Sequence, residues 1–148
     1  MSDDKSCILF TDGGSRGNPG DAGYGFVIFH DNSVIHEGYA FLGTVTNNQA
    51  EYHGLLAGLD AVVIKGYSSV TVKMDSELIV KHIKGEYKVR DEKLRPLYEE
   101  ALGYIRKIEH FSIVHIPRAE NKHADMLANK AMDTREPAEQ PRGTLFAP

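Results

Sequence analysis

Apolar and polar positions alternate in two periods along the chain, and the changes of period divide it into elements. Cys7 to Asp12 is a short apolar run ending in a lone Asp, and the pair Gly13-Gly14 follows. This pattern predicts a buried strand that ends in a turn, with Gly13 to Gly20 as a glycine-rich loop. Gly23 to His30 and Ser33 to Gly43 alternate as two further strands around a short turn at 30–33, giving an antiparallel meander. The period then becomes helical. Thr46 or an Asn after it supplies the N-cap, Leu55, Leu56, Leu59, Val62 and Val63 form the apolar stripe, and Lys65-Gly66 closes the helix.

Val70 to Asp75 repeats the first design, a β-branched run with Asp at its end, and Ser76 then starts a helix that reaches Lys84 and stops at Gly85. A basic connector leads to a helix predicted from near Asp91, with Leu94, Leu97, Tyr98, Ala101, Leu102 and Ile105 on one face. Pro96 fits there only close to the helix start. Phe111 to Ile116 reads as a strand, Pro117 to Asn121 as a tight loop, and Lys122 to Met132 as a last helix. The order β-β-β-α-β-α-β-α, with the two middle helices sharing one crossover, predicts an α/β fold with a mixed five-stranded sheet flanked by helices. Residues 1–133 are expected to form one domain. Residues 134–148 hold three prolines and no periodicity and are expected to be a flexible tail, as the polar residues 1–6 are to be frayed.

Composition changes this picture little. A chain of 148 residues with 41% apolar and 26% charged residues has enough material for one packed core. A single cysteine excludes an internal disulfide framework and suits a reducing cytoplasm. Neither a signal-peptide pattern nor a membrane-length apolar run is visible. The net charge of −4 argues weakly against nucleic acid as a partner, unless some of the acids serve a metal site.

That site is where the chemistry lies. If the two Asp-terminated strands are parallel neighbours, Asp12 and Asp75 share one sheet edge at roughly 5 Å. Like charges so close need a shared proton or a cation. Glu51 stands one turn before Leu55 on the apolar stripe and so points at the sheet. Asp125 stands in the first turn of the last helix. Each has an ordinary reading as a turn or helix-dipole acid; the four together do not. Carboxylates are hard oxygen ligands suited to Mg²⁺ or Mn²⁺.

Thr11-Asp12-Gly13-Gly14 with Gly17-Asn18-Pro19-Gly20, Thr46-Asn47-Asn48-Gln49-Ala50-Glu51, Asp75-Ser76 and Asn121-Lys122-His123-Ala124-Asp125 occur in that order. In this order the motifs resemble the type 1 ribonuclease H family over roughly residues 6 to 133. The resemblance implies a ribonuclease H-like fold in which Asp12, Glu51, Asp75 and Asp125 bind two Mg²⁺ or Mn²⁺ ions. Asp12 and Asp75 would bracket both ions, with Glu51 and Asp125 each supporting one. It implies endonucleolytic cleavage of the RNA strand of RNA–DNA hybrids, leaving 5′-phosphate and 3′-hydroxyl ends, by a monomer. Gly14 and Ser15 would approach the RNA backbone, Asn47 and Asn48 the minor-groove edges, and Asn18 with Thr46 a phosphate of the DNA strand. Ser76 is a further substrate contact or simply an N-cap.

Two departures stand out. The connector after Gly85 is too short for the extra basic helix of many bacterial relatives, which marks the compact form. Lys81, Lys84, Lys88, Arg90, Lys93 and Arg95 still cluster there against Glu86, Asp91 and Glu92. The loop before Asp125 also lacks the histidine that bacterial and retroviral relatives carry, leaving Arg118 as its replacement. Arg118 can steady phosphate but cannot act as a base near neutral pH. His123 is two residues from Asp125 and faces away from it on a helix. A 3′–5′ exonuclease of similar fold would carry a second acid at position 14, where this chain has Gly14. A binding module that recognises hybrids without cutting them would be expected to lack a carboxylate, and all four are present.

Overall fold

Strand β1 (Ser6–Gly17) is the centre of the molecule. In the computed structural model, which describes residues 5–138, it pairs antiparallel with β2 (Gly20–His30), and β2 pairs antiparallel with β3 (Ser33–Val45). On its other side β1 runs parallel to β4 (Ser69–Met74), and β4 parallel to β5 (His110–His115). The sheet order is β3-β2-β1-β4-β5, the expected mixed five-stranded sheet. Helix α1 (Asn47–Ile64) connects β3 to β4, and α2 (Glu77–Ile83) and α3 (Arg95–Ile105) share the crossover to β5. A 3₁₀ turn (Arg118–Glu120) leads into α4 (Lys122–Thr134).

Alternation along β1 explains the layers. Cys7 and Leu9 are buried in the main core with Leu55, Leu56, Leu59 and Val62 of α1 and with Val70, Val72 and Met74 of β4. Ala124, Leu127, Ala128 and Ala131 of α4 are also buried, and Leu127 lies against Gly25 of β2. Burying a Leu or Val side chain contributes roughly 1.5–3 kcal/mol, so these stripes hold both helices to the sheet. Two glycines set how closely α1 approaches. A Cβ on Gly54 would stand 2.7 Å from the Asp12 carbonyl oxygen, and one on Gly13 would collide with the Ala50 carbonyl. The helix thus rests almost directly on the strand at Asp12.

Three local expectations need correction. The pair Gly13-Gly14 does not break the strand: β1 continues to Gly17, and the turn is confined to 17–20, with a cis bond before Pro19. Pairing of Gly13 with Tyr24 and Gly14 with Gly23 sustains the ladder where local propensity opposes it. Second, α3 starts at Arg95, not near Asp91. Asp91 instead closes a turn, accepting from the amides of Leu94 and Arg95 through its carbonyl and of Lys93 through its side chain. Third, residues 5 and 6 are not frayed, since the Lys5 carbonyl accepts from the Ser68 amide at 2.9 Å and Ser6 opens β1.

The segment expected as a tail begins inside α4. Beyond it, Arg135 pairs with Asp21 at 2.7 Å, while Glu136 accepts from the Phe41 amide and the Tyr39 hydroxyl. Residues 139–148 and 1–4 lie outside the described residues. Among those described, no helix is long and apolar enough to cross a membrane.

Candidate active site

The β1–β4 ladder pairs Phe10 with Lys73, so Asp12 and Asp75 each lie two residues farther along their parallel strands, side by side. Asp12 remains inside the β1–β2 ladder opposite Gly25, while Asp75 stands just past the end of β4. Helix α1 delivers the third carboxylate. A capping box starts it at Thr46: the Thr46 hydroxyl accepts from the Gln49 amide at 3.2 Å, and the Gln49 side chain accepts from the Thr46 amide at 2.9 Å. One turn later Glu51, 6% exposed, points at the strand that Gly13 and Gly54 hold close. One oxygen from each of Asp12, Glu51 and Asp75 falls within 4.8 Å of the others.

Asp125 approaches Asp12 from the opposite face, on α4, closely enough for their carboxyls to share a hydrogen bond when one is protonated. Arg118 stands in front, 81% exposed at its side chain, with Nη2 3.8 Å from Asp125 Oδ1. All four carboxylates and Arg118 line one open cleft of about 380 Å³, together with Gly14, Ser15 and Asn47. The hairpin is tied to the start of α1: Asn18 Oδ1 accepts from the Asn47 amide at 2.9 Å, and Asn47 Oδ1 accepts from the Ser15 amide at 3.3 Å.

Not every expected contact residue lines the cleft. Asn18 holds Asn47, Thr46 caps α1, and Ser76 caps α2 by accepting from the Ile79 amide at 3.3 Å. Asn48 is half-buried outside the lining. His123 faces away, bonded to Glu37 at 2.8 Å and edge-on to Phe29. Arg16 and Asn129 escaped the sequence reading. Arg16 pairs with Asp133 at 2.8 Å and donates to Asn129 Oδ1 at 3.3 Å, while Asn129 Nδ2 donates to the Asp125 carbonyl. They meet across 113 positions, and the only signal was that Asn129 lies one turn after Asp125.

The electrostatics follow from burying like charges. Burial, then the charges of Asp75 and Asp125, push the Asp12 carboxyl from 3.8 up to about 8. The Glu51 carboxyl is also raised well above its ordinary range, first by burial and then by Asp12 and Asp75. The Gly13 amide offsets part of both shifts. Asp75 is raised by burial, against the opposing pull of Arg118, its own amide and His115. Among the described residues, Glu51 Oε1 is buried without a hydrogen-bond partner. An unpaired buried carboxylate oxygen beside two other carboxylates fits a hard divalent cation, which would satisfy the oxygen and remove the repulsion together.

Comparison with known proteins agrees with this geometry. The model of the reverse transcriptase-like family matches residues 10–131. A bifunctional protein of Mycobacterium tuberculosis is 44% identical over 128 residues, 85% of this chain and 35% of that protein. Its N-terminal ribonuclease H domain, solved as a fusion, superposes with a TM-score of 0.86 at 42% identity, covering 88% of this chain and 95% of that one. Ribonuclease H1 of Halobacterium salinarum superposes at 0.84 with 38% identity, covering 87% and 98%. LC11 ribonuclease H1, solved in complex with an RNA/DNA hybrid, gives 0.82 at 40% identity, covering 86% and 97%. The chain spans about a third of the length of the mycobacterial relatives it matches and 63% of the curated Halobacterium ribonuclease HI. With its family model, its sheet order and its cluster of sheet and helix carboxylates in agreement, this chain belongs to the type 1 ribonuclease H family.

Proposed function

We propose that the protein hydrolyses the RNA strand of RNA–DNA hybrids, cutting internally and leaving 5′-phosphate and 3′-hydroxyl ends. The observation that carries the reading is the convergence of one oxygen each from Asp12, Glu51 and Asp75 within 4.8 Å, with a Glu51 oxygen left unpartnered. The family resemblance and the hybrid bound by LC11 ribonuclease H1 support the choice of substrate.

Asp12 and Asp75 would hold two divalent ions, Mg²⁺ or Mn²⁺, with Glu51 on one and Asp125 on the other. Such ions, when bound, activate a water and stabilise the leaving 3′-oxygen of an in-line displacement. The remaining work falls to the chain's own groups. Gly14 and Ser15 bring backbone to the cleft without bulky side chains, which suits contact with a sugar–phosphate backbone. Asn47 and Asn48, at the start of α1, offer amide groups that pair with minor-groove edges and 2′-hydroxyls regardless of sequence. Asn18 and Thr46 suit a phosphate of the DNA strand, and Ser76, next to Asp75 in the chain, would be a further substrate contact. Arg118 provides a permanent cation beside Asp125, placed to steady phosphate before and after cleavage. A single chain carries the complete set of carboxylates, which supports action as a monomer. Its one thiol is buried, consistent with a reducing cytoplasm.

The test is cleavage of an end-labelled hybrid with Mg²⁺ or Mn²⁺ by the wild type and by Asp75→Asn, with double-stranded and single-stranded RNA alongside. Internal cuts confined to the RNA of the hybrid, abolished in a folded Asp75→Asn protein, are expected. Tight hybrid binding without cutting under either metal would replace the proposal with a binding module. Release of single nucleotides from a 3′ end would replace it with an exonuclease.

A further inference from the structure

Asn121 opens the motif that ends in Asp125, and its position suggests an ordinary N-cap for α4. Asn is among the strongest N-cap residues, yet its side chain makes no cap bond to this helix. Instead Nδ2 donates at 2.8 Å to the carbonyl of Thr11, the residue before Asp12, from 110 positions away. Asn121 is 1% exposed, although residues 117–120 before it are all exposed. Its backbone is engaged on both sides: the amide donates to the Arg118 carbonyl at 3.0 Å, and the carbonyl accepts from the Asp125 amide at 3.1 Å. One residue therefore joins the strand that carries Asp12, the turn that carries Arg118 and the first turn of α4 that carries Asp125.

The same side chain is a poor choice for stability alone. Its Oδ1 is buried without a partner among the described residues, a cost that a hydrocarbon of similar size would avoid. What the amide supplies, and a hydrocarbon cannot, is a directional bond to a fixed point next to Asp12. The Asn129 bond to the Asp125 carbonyl braces α4 from within, but only Asn121 among these contacts ties the start of α4 to β1.

We infer that Asn121 is a positioning residue, which sets the separation of Asp125 and Arg118 from Asp12 by anchoring both to the Thr11 carbonyl. This rests on the function proposed above, since it assigns Asp125 a role in hydrolysis. Asn121→Leu keeps the burial and removes the donor; Asn121→Ala removes both. A misplacement of about 1 Å in such a site costs on the order of a hundredfold in rate. Both variants should therefore show kcat lowered about 10- to 100-fold, while KM for the hybrid changes less than about twofold, as expected when only transition-state contacts are lost. In Asn121→Leu the lost bond to the Thr11 carbonyl is offset by removal of the unpartnered Oδ1, so it should melt above Asn121→Ala. In an Asp125→Asn background the same substitutions should cost less than about threefold more, because residues acting through one another are not additive.

An equal loss in both backgrounds, an unchanged kcat in a folded variant, or a raised KM with kcat intact would overturn the assignment. Calorimetric titration with Mn²⁺ alone gives a reading independent of cleavage. Asn121→Ala and Asn121→Leu should bind it at least about fivefold more weakly, within the 10- to 100-fold seen for outer-shell partners or just below it; unchanged affinity in both overturns the assignment. If the wild type fails to cut hybrids, the functional proposal falls, and the titration still decides whether Asn121 places Asp125.

Discussion

Glu51 and Tyr52 are consecutive residues of α1, both buried, and the chain treats them in opposite ways. Tyr52 is fully enclosed in the main core, and its hydroxyl is bonded at 2.8 Å to Nδ1 of the equally buried His82, whose ring stacks beside it. The hydroxyl and the ring nitrogen that face each other inside the core are thus paired. Glu51 keeps one oxygen without a protein partner and faces two more acids. The first arrangement stabilises the native state: it fastens α1 to α2 with a hydrogen bond in a low-dielectric setting. The second opposes folding until something from outside completes it. Buried polarity is complete where it serves structure and incomplete where it serves chemistry.

The largest contrast should appear on removing each group. Glu51→Gln is expected to lower hydrolysis at least about a hundredfold, the scale seen when an electrostatic stabiliser is deleted, while raising the melting temperature of the metal-free protein. Tyr52→Phe should do the reverse. It leaves a buried His82 nitrogen unpaired at a cost of about 1–3 kcal/mol, and kcat measured well below the melting point should be unaffected. Urea or thermal melts with chelator, combined with steady-state cleavage, check both. Equal effects of the two variants on kcat would break the comparison.

Proton linkage should separate the clusters next. A carboxyl raised from 3.8 to about 8 binds protons more tightly in the folded state than in the unfolded chain. Its stabilising contribution is complete below about pH 4 and disappears as the pH rises through about 8, a change on the order of a few kcal/mol. Metal-free protein should therefore lose stability across that range, and Mg²⁺ or Mn²⁺ should restore it. His82 acts at the other end. Burial lowers its pKa from 6.5, so stability present above that pH is lost as the pH falls toward the folded-state value. His82→Gln, which offers Tyr52 a partner that cannot titrate, should flatten the acid limb only. Melting curves at stepped pH, with and without metal, distinguish the two limbs.

The smallest effect is expected at the periphery. Lys84, Lys88 and Arg90 are exposed beside Tyr87, where Lys81 lies 4.9 Å over the ring. Neutralising the three should weaken hybrid affinity modestly and reduce the salt slope, with kcat preserved. Titrations at several ionic strengths measure this, and an unchanged slope would remove the patch from the binding surface.

The same contrast governs what was legible in the sequence. Asp12 and Asp75 were readable because a β-branched run that ends in a carboxylate is locally odd, and two such runs imply a pair. Glu51 was readable from its place on an apolar stripe. The extension of β1 through Gly13-Gly14 was hidden, because glycine signals a turn locally and only the closeness of Ala50 explains its use within a strand. Arg16 and Asn129 were hidden because their meeting depends on how α4 crosses the sheet. The tie from Asn121 to Thr11 was hidden by the residue's suitability for a simpler task. The late start of α3 was missed because the turn at Asp91 mimics a helix opening, while Leu94 and Val89 settle into the core on either side.

Asp12 is not at the tip of a strand; five more residues of β1 follow it, paired with β2 down to Gly20. Sites of chemistry are commonly carried on loops that open locally long before the whole molecule does. Here the backbone of Asp12 belongs to the middle strand of the sheet, and its amide should exchange with deuterium only through global opening. On heating, activity and structure should therefore vanish in one transition, with no folded but inactive species in between.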